Sequence, residues 1–197
     1  HLLEGVTGSG KTEVYLHTIA ATMAKGQQAL VLVPEIGLTP QLLQRFEERF
    51  SAPIVILHSG LGDAERDRNW HRARLGEAAI IIGTRSAVFT PMLAPGVIIV
   101  DEEHDASLSQ QDGLRYSARD VAVKRAQLSN CPIVLGSATP SLESMANAQG
   151  KRYQWHQLTR RATGAGAPQK HVIDIRGLAL RAGLSSTLET SVAGALS

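Results

Sequence analysis

The stretch GVTGSGKT, from Gly5 to Thr12, constrains the fold most, because it matches G-x-x-x-x-G-K-[ST] in full. Its glycines admit backbone conformations closed to other residues, so successive N–H groups can curl around a phosphate where a helix begins. In this pattern the lysine reaches the β and γ phosphates and the last hydroxyl binds Mg²⁺. We therefore predict ATP and Mg²⁺ as cofactors and a nucleotide-binding loop of Gly5, Val6, Thr7, Gly8, Ser9, Gly10, Lys11 and Thr12. The plain alternative is a glycine-rich turn before a helix.

Uniformly apolar runs rich in β-branched residues recur along the chain, as they do in parallel strands buried on both faces. They lie at residues 29–33, 54–57, 79–83, 97–100 and 133–136. Segments with a helical apolar stripe or capping residues separate them, at Lys11–Lys25, Thr39–Phe50, Asp63–Leu75 and Ser117–Leu128. This alternation predicts an α/β fold with a doubly wound parallel sheet.

The composition changes near the end of this pattern. Residues 151–159 predict one more short strand, 159–169 form a Gly, Ala, Arg and Pro mixture typical of a linker, and 171–177 suggest another strand. Residues 184–197 resemble a helix cut off partway. We expect one domain over 1–158, and a linker with the start of a second lobe over 159–197. Because the chain begins without Met and leaves almost no room for a strand before Gly5, we expect a fragment of a longer protein.

Composition excludes several other classes of protein. The charges nearly cancel, at 20 Lys and Arg against 18 Asp and Glu, so bulk attraction to nucleic acid is not indicated. The single cysteine, Cys131, excludes an intramolecular disulfide and a zinc site made only of cysteines. No run approaches the roughly 18 apolar residues of a membrane span, and the start does not resemble a signal peptide. We expect no membrane partner and a cytoplasmic location.

An acidic run, DEEHD, follows the apolar run Val97–Val100 without a spacer. In the predicted sheet, Asp101 would lie beside the phosphate loop and help Thr12 to hold Mg²⁺. Glu102 would then orient or deprotonate the water that attacks the γ phosphate. A solvated loop after a strand is the alternative, and the intact phosphate loop argues against it. The predicted catalytic residues are Glu102, Lys11 and Asp101, with Thr12 and Asp101 at the metal.

Read together, these segments resemble the first RecA-like lobe of superfamily 2 DEAH-type helicases. More narrowly, they resemble the bacterial primosomal replication-restart helicases. The resemblance extends from about Leu2 to Arg161 and is carried by EGVTGSGKTEVYL, LVLVPEIGLTPQ, HSGL, IIIGTRSAVFTP, IIVDEEHD and LGSATPSLES.

The resemblance implies a helicase that translocates 3′ to 5′, restarts stalled replication forks and initiates primosome assembly. It implies that His104, Ser137, Ala138 and Thr139 couple hydrolysis to unwinding. It also implies binding to forked, single-stranded and duplex DNA, to single-strand binding protein and to other primosome proteins. The family's zinc site and its second-lobe arginines lie outside this chain. We therefore expect Zn²⁺ only in the parent protein, and weak nucleotide binding with poor hydrolysis by the isolated chain.

Candidate DNA contacts follow two of the predicted strands. Thr84 and Arg85, in GTRSA, suit a sugar–phosphate track, and Gln111, Arg115 and Tyr116 follow the acidic run. In the resembling helicases this second loop is rich in aromatic residues that stack on bases. Here it retains only Tyr116, and leucines occupy positions 108 and 114, which should weaken its contribution to DNA sensing.

Two other functions remain as alternatives. A phosphate-loop kinase or small-molecule ATPase would need a substrate pocket and a lid, for which PEIGLTPQ and GTRSA offer nothing obvious. A degenerate module could bind nucleotide without hydrolysis, although Lys11, Thr12, Asp101 and Glu102 are all intact. Stimulation of ATP hydrolysis by single-stranded DNA would distinguish a helicase from both.

Overall fold

The structure, a computed structural model, describes residues 1–161, 176, 180–181 and 184–196. The chain divides into two compact units, His1–Gly164 and Ala165–Ser197, which we describe separately. The strands of the first unit are β1 Leu2–Gly5, β2 Gln28–Leu32, β3 Ile54–Leu57, β4 Ile80–Gly83, β5 Pro95–Val100, β6 Ser109–Gln110, β7 Tyr116–Ser117, β8 Ile133–Ser137 and β9 Trp155–Leu158. Its α-helices are α1 Lys11–Met23, α2 Pro40–Arg49, α3 Asp63–Arg74, α4 Ala118–Leu128 and α5 Leu142–Gln149.

Seven of these strands form one sheet in the order β3-β4-β2-β5-β8-β1-β9, and every pairing in it is parallel. Strands β6 and β7 form a separate antiparallel pair between β5 and α4. The order reverses around β1, since the chain leaves this strand, crosses β8 and β5, and continues at β2. This confirms the predicted α/β fold with a doubly wound parallel sheet.

Two hydrophobic cores cover the two faces of the sheet, because successive strand residues point to opposite sides. On one face, α1 and α2 contribute Tyr15, Leu16, Ile19 and Phe46. On the other face, α3, α4 and α5 contribute Ala73, Ala118, Ala122, Ala126 and Ala148. The three alanines of α4 recur every four residues, so one stripe of small side chains lets that helix pack closely on the sheet.

Helix starts agree with their local sequence. The Thr39 hydroxyl accepts a hydrogen bond from the Leu42 N–H and Pro40 occupies the first position of α2. Ser117 caps α4 in the same way, through the Asp120 N–H. Ser141 caps α5 through the Ser144 N–H, and this helix was missed at the sequence level because its apolar stripe is short.

The expectation that almost no room is left for a strand before the phosphate loop was wrong, whereas the expectation of a longer parent protein stays a prediction. A strand does fit before the phosphate loop: Leu2–Gly5 pairs with both β8 and β9, and Leu2 and Leu3 are buried. The predicted strand over 171–177 lies outside the described residues apart from Arg176, which is in a turn. No helix in the described ranges is both long and apolar enough to cross a membrane.

The second unit is small in its described part. Leu180–Arg181 (β10) pairs in antiparallel fashion with Leu184–Ser185 (β11), and the helix α6 spans Ser186–Leu196. The Ser185 hydroxyl accepts a hydrogen bond from the Leu188 N–H at the start of this helix. The predicted division of the chain at residue 158 into a first lobe and the start of a second one stays a prediction.

Candidate functional site

Three segments that carry candidate functional residues follow the carboxyl ends of three adjacent strands, β5, β8 and β1. The phosphate loop follows β1, the acidic run Asp101–Asp105 follows β5, and Ala138–Thr139 follow β8, which lies between them. In open α/β sheets, ligands bind at this edge, where the strand order reverses. The topology therefore brings together motifs that are up to about 130 residues apart in the sequence.

The phosphate loop has the backbone that its glycines predict. Gly8 and Gly10 have φ values of 78° and 95°, in the left-handed region that favours glycine. Lys11 is only 8% exposed, and its Nζ donates a hydrogen bond to the Gly5 carbonyl at 2.8 Å. The Ser9 Oγ is buried and has no hydrogen-bond partner among the described residues. A buried hydroxyl without a partner is uncommon, and here it lies within the loop that would surround a phosphate.

A cavity of about 800 Å³ opens beside this loop. Its walls are residues 7–13, Leu16, Asp101 and Glu102, together with Arg45, Glu48 and Arg49 from α2. The contribution of α2 was not anticipated, because the residues that line one cavity from separate helices share no sequence pattern. Arg45 and Arg49 bring positive charge near the loop that is predicted to bind phosphates, and Glu48 brings an opposite charge to the same wall.

Asp101 is held by a buried tyrosine. Tyr15, from α1, donates its hydroxyl proton to Asp101 Oδ1 at 2.8 Å. Burial raises the pKa of Asp101, the Tyr15 hydrogen bond opposes this effect, and the charge of Glu102 adds to it. Burial and the Asp101 carboxylate raise the pKa of Tyr15, so the phenol remains a donor. A Cβ at Gly136 would overlap the Tyr15 hydroxyl oxygen, so only glycine leaves room for this contact.

Glu102 is held differently from its neighbours. Its φ of 44° is in the left-handed region, which is uncommon for a residue with a side chain. Its Oε1 lies 3.7 Å from Lys11 Nζ, and its Oε2 lies 3.7 Å from His104 Nδ1. The carboxylate is 36% exposed and contributes to the cavity wall. Glu102 is thus a partly exposed carboxylate on the cavity wall beside Lys11, and its role as a general base stays a prediction.

Glu103 points away from the cavity, and its side chain is fully buried. Its carboxylate accepts hydrogen bonds from the Ser141 N–H at 2.7 Å, the Ser144 hydroxyl at 2.9 Å and the Arg119 guanidinium at 3.2 Å. The Ser141 hydroxyl donates to it as well, at 3.1 Å. We had assigned no role to Glu103 from the sequence, because its partners lie 16 to 41 residues further along the chain.

His104 connects the acidic run to the segment after β8. Its Nδ1 and the Ser137 Oγ share a hydrogen bond of 2.8 Å, and its Nε2 lies 3.3 Å from Thr139 Oγ1. The Ser137 Oγ also accepts a hydrogen bond from the Thr139 N–H at 2.9 Å. Ala138 lies between these residues and is half-buried. The structure therefore brings together the four residues that the resemblance implied for coupling.

The candidate DNA contacts have different environments. Thr84 is only 4% exposed, so its side chain lies beneath the surface and is a poor candidate for a DNA contact. Arg85 donates to the carbonyls of Ser107 and Ser109, so its guanidinium holds the loop after the acidic run. Gln111 and Arg115 are exposed, and Arg115 Nε donates to the Gln111 carbonyl.

The loop after the acidic run has an aromatic contact that its own sequence does not indicate. The Tyr116 ring lies 4.9 Å from the ring of Phe89, edge to face, and Phe89 is 54% exposed. Leu108 stands where the resembling helicases led us to expect an aromatic ring, but it is 1% exposed and belongs to the core. Leu114 is 79% exposed. The second ring comes from residues 85–89, so no inspection of the loop sequence could have found it.

The residues present fit a nucleotide with a divalent cation. The loop presents left-handed glycines, a buried lysine and the unpartnered Ser9 hydroxyl, which together suit a phosphate. The Thr12 hydroxyl and the Asp101 carboxylate are the oxygen ligands that Mg²⁺ prefers. In the described part of the chain, no group of three or more His, Cys, Asp and Glu side chains could hold a metal by itself.

Residues 1–148 match the family model described as DEAD/DEAH box helicase. The chain is 54% identical over 187 residues to replication restart protein PriA of Haemophilus influenzae, which covers 95% of the chain and 26% of that protein. It is 47% identical over 175 residues to replication restart protein PriA of Bacillus subtilis, covering 89% of the chain and 22% of that protein. The chain thus spans about a quarter of the length of these relatives.

Two solved structures share the fold. The structure of RecG bound to a three-way DNA junction matches 81% of this chain and 20% of its own, with a TM-score of 0.58 and 24% identity. Domain 2 of the DEAD-box helicase Mss116p, bound to an RNA duplex, matches 79% of this chain and 62% of its own, with a TM-score of 0.59 and 12% identity. These likenesses confirm the predicted RecA-like fold.

Proposed function

The chain belongs to the DEAD/DEAH box helicase family, and from this premise we propose that it is the ATP-binding lobe of a 3′–5′ DNA helicase. We propose further that the whole protein restarts stalled replication forks and initiates primosome assembly. The likeness to replication restart protein PriA at 47–54% identity supports this assignment. We place the boundary of the lobe near residue 158, with a linker and the start of a second lobe beyond it.

One observation carries the proposal: four polar groups form a chain in which each lies 2.8 to 3.7 Å from the next. Lys11 Nζ lies 3.7 Å from the Glu102 carboxylate, which lies 3.7 Å from His104, which bonds Ser137 at 2.8 Å. A phosphate-binding lysine, a carboxylate base and a polar connection to a third strand are thus contiguous. A site that only bound nucleotide would not need the last two.

The proposed reaction is hydrolysis of ATP. Lys11 and the loop N–H groups bind the phosphates and stabilise the negative charge that develops on them. Glu102 accepts a proton from water as its oxygen attacks the γ phosphorus, while the bond to the bridging oxygen breaks and ADP leaves. Thr12 and Asp101 would hold Mg²⁺, which when bound neutralises phosphate charge. His104, Ser137 and Thr139 would connect this site to a bound DNA strand.

We propose that DNA, forked, single-stranded or duplex, is the macromolecular partner. Arg115 and Gln111 are exposed, and Tyr116 and Phe89 offer rings on which bases could stack. Thr84 is not proposed as a side-chain contact because it is buried. Single-strand binding protein and other primosome proteins are further proposed partners, and Zn²⁺ is proposed only for the remainder of the parent protein. Replication restart would place that protein in the cytoplasm.

The test measures ATP hydrolysis by the whole helicase that contains this chain, with and without single-stranded DNA. We expect DNA to stimulate hydrolysis strongly. DNA-independent turnover would favour a kinase-like ATPase, and nucleotide binding without turnover would favour a binding module. The isolated chain should bind nucleotide weakly and hydrolyse it poorly, because arginines from a second lobe contribute orders of magnitude in related phosphate-loop enzymes. Robust DNA-stimulated turnover by the 197 residues alone would contradict this last expectation.

A further inference from the structure

Glu103 has an environment that its neighbours lack. It is a fully buried carboxylate, and it accepts four hydrogen bonds from three residues on two helix starts: Arg119 in the first turn of α4, and Ser141 and Ser144 at the start of α5. Burying a carboxylate is unfavourable unless charge and hydrogen bonds compensate for the lost hydration. These contacts supply both, so the position of Glu103 is closely defined.

The residue before Glu103 has a backbone that needs support. A left-handed conformation at a residue with a side chain is unfavourable and persists only where the surroundings enforce it. On one side of Glu102, the Asp101 N–H donates to the Leu32 carbonyl and its carboxylate accepts from Tyr15. On the other side, the Glu103 N–H donates to the Gly136 carbonyl, and its side chain is held by α4 and α5. Glu102 is therefore fixed between two anchored neighbours.

The direction of the Glu102 carboxylate depends on this conformation. The two carboxylate oxygens of Glu102 lie 3.7 Å from Lys11 and from His104, respectively. If the backbone at Glu102 relaxed to an ordinary conformation, its side chain would turn away from this place. Glu103 itself cannot contact a substrate, because none of its side chain is exposed. Its influence on the reaction is therefore indirect, through the parts of the chain that it holds in place.

We propose that Glu103 is a positioning residue for hydrolysis: its bonds to Arg119, Ser141 and Ser144 hold Glu102 in the left-handed conformation that directs the catalytic carboxylate into the cavity. The proposal rests on the helicase function stated above. It assigns separate tasks to two adjacent glutamates: Glu102 accepts the proton, and Glu103 holds Glu102 in position. It also ties the acidic run to α4, which begins where the loop carrying Tyr116 ends.

The test compares Glu103→Gln with Glu143→Gln in the whole helicase that contains this chain. Glu143 is a matched control, because its carboxylate lies 3.8 Å from the same Arg119 atom and yet is 72% exposed. We expect kcat for ATP hydrolysis to fall by up to about a hundredfold in Glu103→Gln, as a small misplacement of a catalytic group can produce. Affinity for a fluorescent ATP analogue should stay within about twofold, because the phosphate loop is unchanged. Glu143→Gln should leave both values within about twofold.

Each outcome decides something. A kcat of Glu103→Gln within twofold of the wild type overturns the proposal, and so does a parallel loss of kcat and affinity, which indicates general damage to the site. If Glu103→Gln does not fold, Ser144→Ala removes one donor and keeps the charge pair. Its kcat should fall about threefold to tenfold with unchanged affinity, and an unchanged kcat overturns the proposal. Absence of turnover in the wild type would instead contradict the helicase function itself.

Discussion

The acidic run has two sides: a cavity side at Glu102 and an anchor side at Glu103. The polar groups on these two sides are satisfied in opposite ways. On the cavity side, Lys11 and Glu102 approach each other only to 3.7 Å, and the Ser9 hydroxyl has no partner among the described residues. On the anchor side, Glu103 accepts four hydrogen bonds and is fully buried. The two sides are one peptide bond apart.

One charged run can thus serve two purposes. Groups that must bind a ligand keep unused hydrogen-bonding capacity, because a ligand supplies the missing partners. Groups that must stay in place use their capacity fully, because an unsatisfied buried charge is unfavourable. If this division is functional, substitutions on the two sides should differ in what they impair.

Replacing Glu102 by glutamine should affect hydrolysis and spare binding. The amide cannot accept a proton, and loss of a general base lowers rates by about a hundredfold to ten-thousandfold. Steady-state ATP hydrolysis by the whole helicase measures this effect, with nucleotide affinity measured in parallel. Glu48→Gln is the control, because Glu48 lines the same cavity from α2 and has no proposed role. Equal losses of hydrolysis rate in both variants would mean that the reaction depends on negative charge in the cavity. It would then not depend on a general base at one position.

Replacing Arg119 by alanine should lower the free energy of unfolding by about 3–5 kcal/mol, since it leaves the buried Glu103 without its cation. Urea unfolding of the chain, followed by circular dichroism, gives this value. Arg66→Ala is the control: Arg66 pairs with Asp63 on the exposed face of α3, and its loss should cost less than about 1 kcal/mol. Similar values for the two variants would remove the distinction between the anchor and an ordinary surface pair.

Replacing Gly136 by alanine should displace the Tyr15 hydroxyl from Asp101, because the added Cβ would overlap that hydroxyl. Forcing a group into a packed region typically costs about 1–3 kcal/mol, which urea unfolding can detect. Tyr15→Phe removes the overlapping oxygen, so Gly136→Ala should cost less in that background. Additive losses in the double variant would show that the two positions are independent.

Replacing Arg49 by alanine should weaken nucleotide binding only about twofold to fivefold. Arg49 lines the cavity but is 45% exposed, and exposed charge pairs contribute about 0.2–1 kcal/mol. Titration with a fluorescent nucleotide measures the change, and Arg72→Ala on α3 is the control. A much larger loss of affinity would mean that α2 contributes strongly to ligand binding on the cavity side. That contribution would then be comparable to the contacts that fix Glu103 on the anchor side.

Much of this arrangement could be predicted from the sequence because its signals are local. The phosphate loop is eight consecutive residues, and the central strands are uniformly apolar runs such as Ile80–Ile82 and Val97–Val100, which are completely buried. The acidic residues follow one of these strands directly, so their edge of the sheet followed from parallel topology.

The remaining features depend on contacts across the fold. Tyr15 meets Asp101 across 86 residues, and Glu103 meets Ser144 across 41, so neither pair has a sequence pattern. The strand Leu2–Gly5 was missed because four residues give too short a period, and its identity depends on pairing with β8 and β9. Phe89 reaches Tyr116 because residues 85–89 pack beside α4, which only the tertiary structure reveals.

The left-handed backbone at Glu102 has a consequence for engineering and for evolution. Glycine at this position would relieve the unfavourable conformation by roughly 1 kcal/mol, and it would also delete the carboxylate. A library screened only for heat tolerance should therefore accumulate inactive variants at position 102, whereas a library screened for turnover should retain glutamate. Selection for thermostability and selection for activity therefore favour different residues at position 102. Consensus or stability design of this lobe should keep the glutamate.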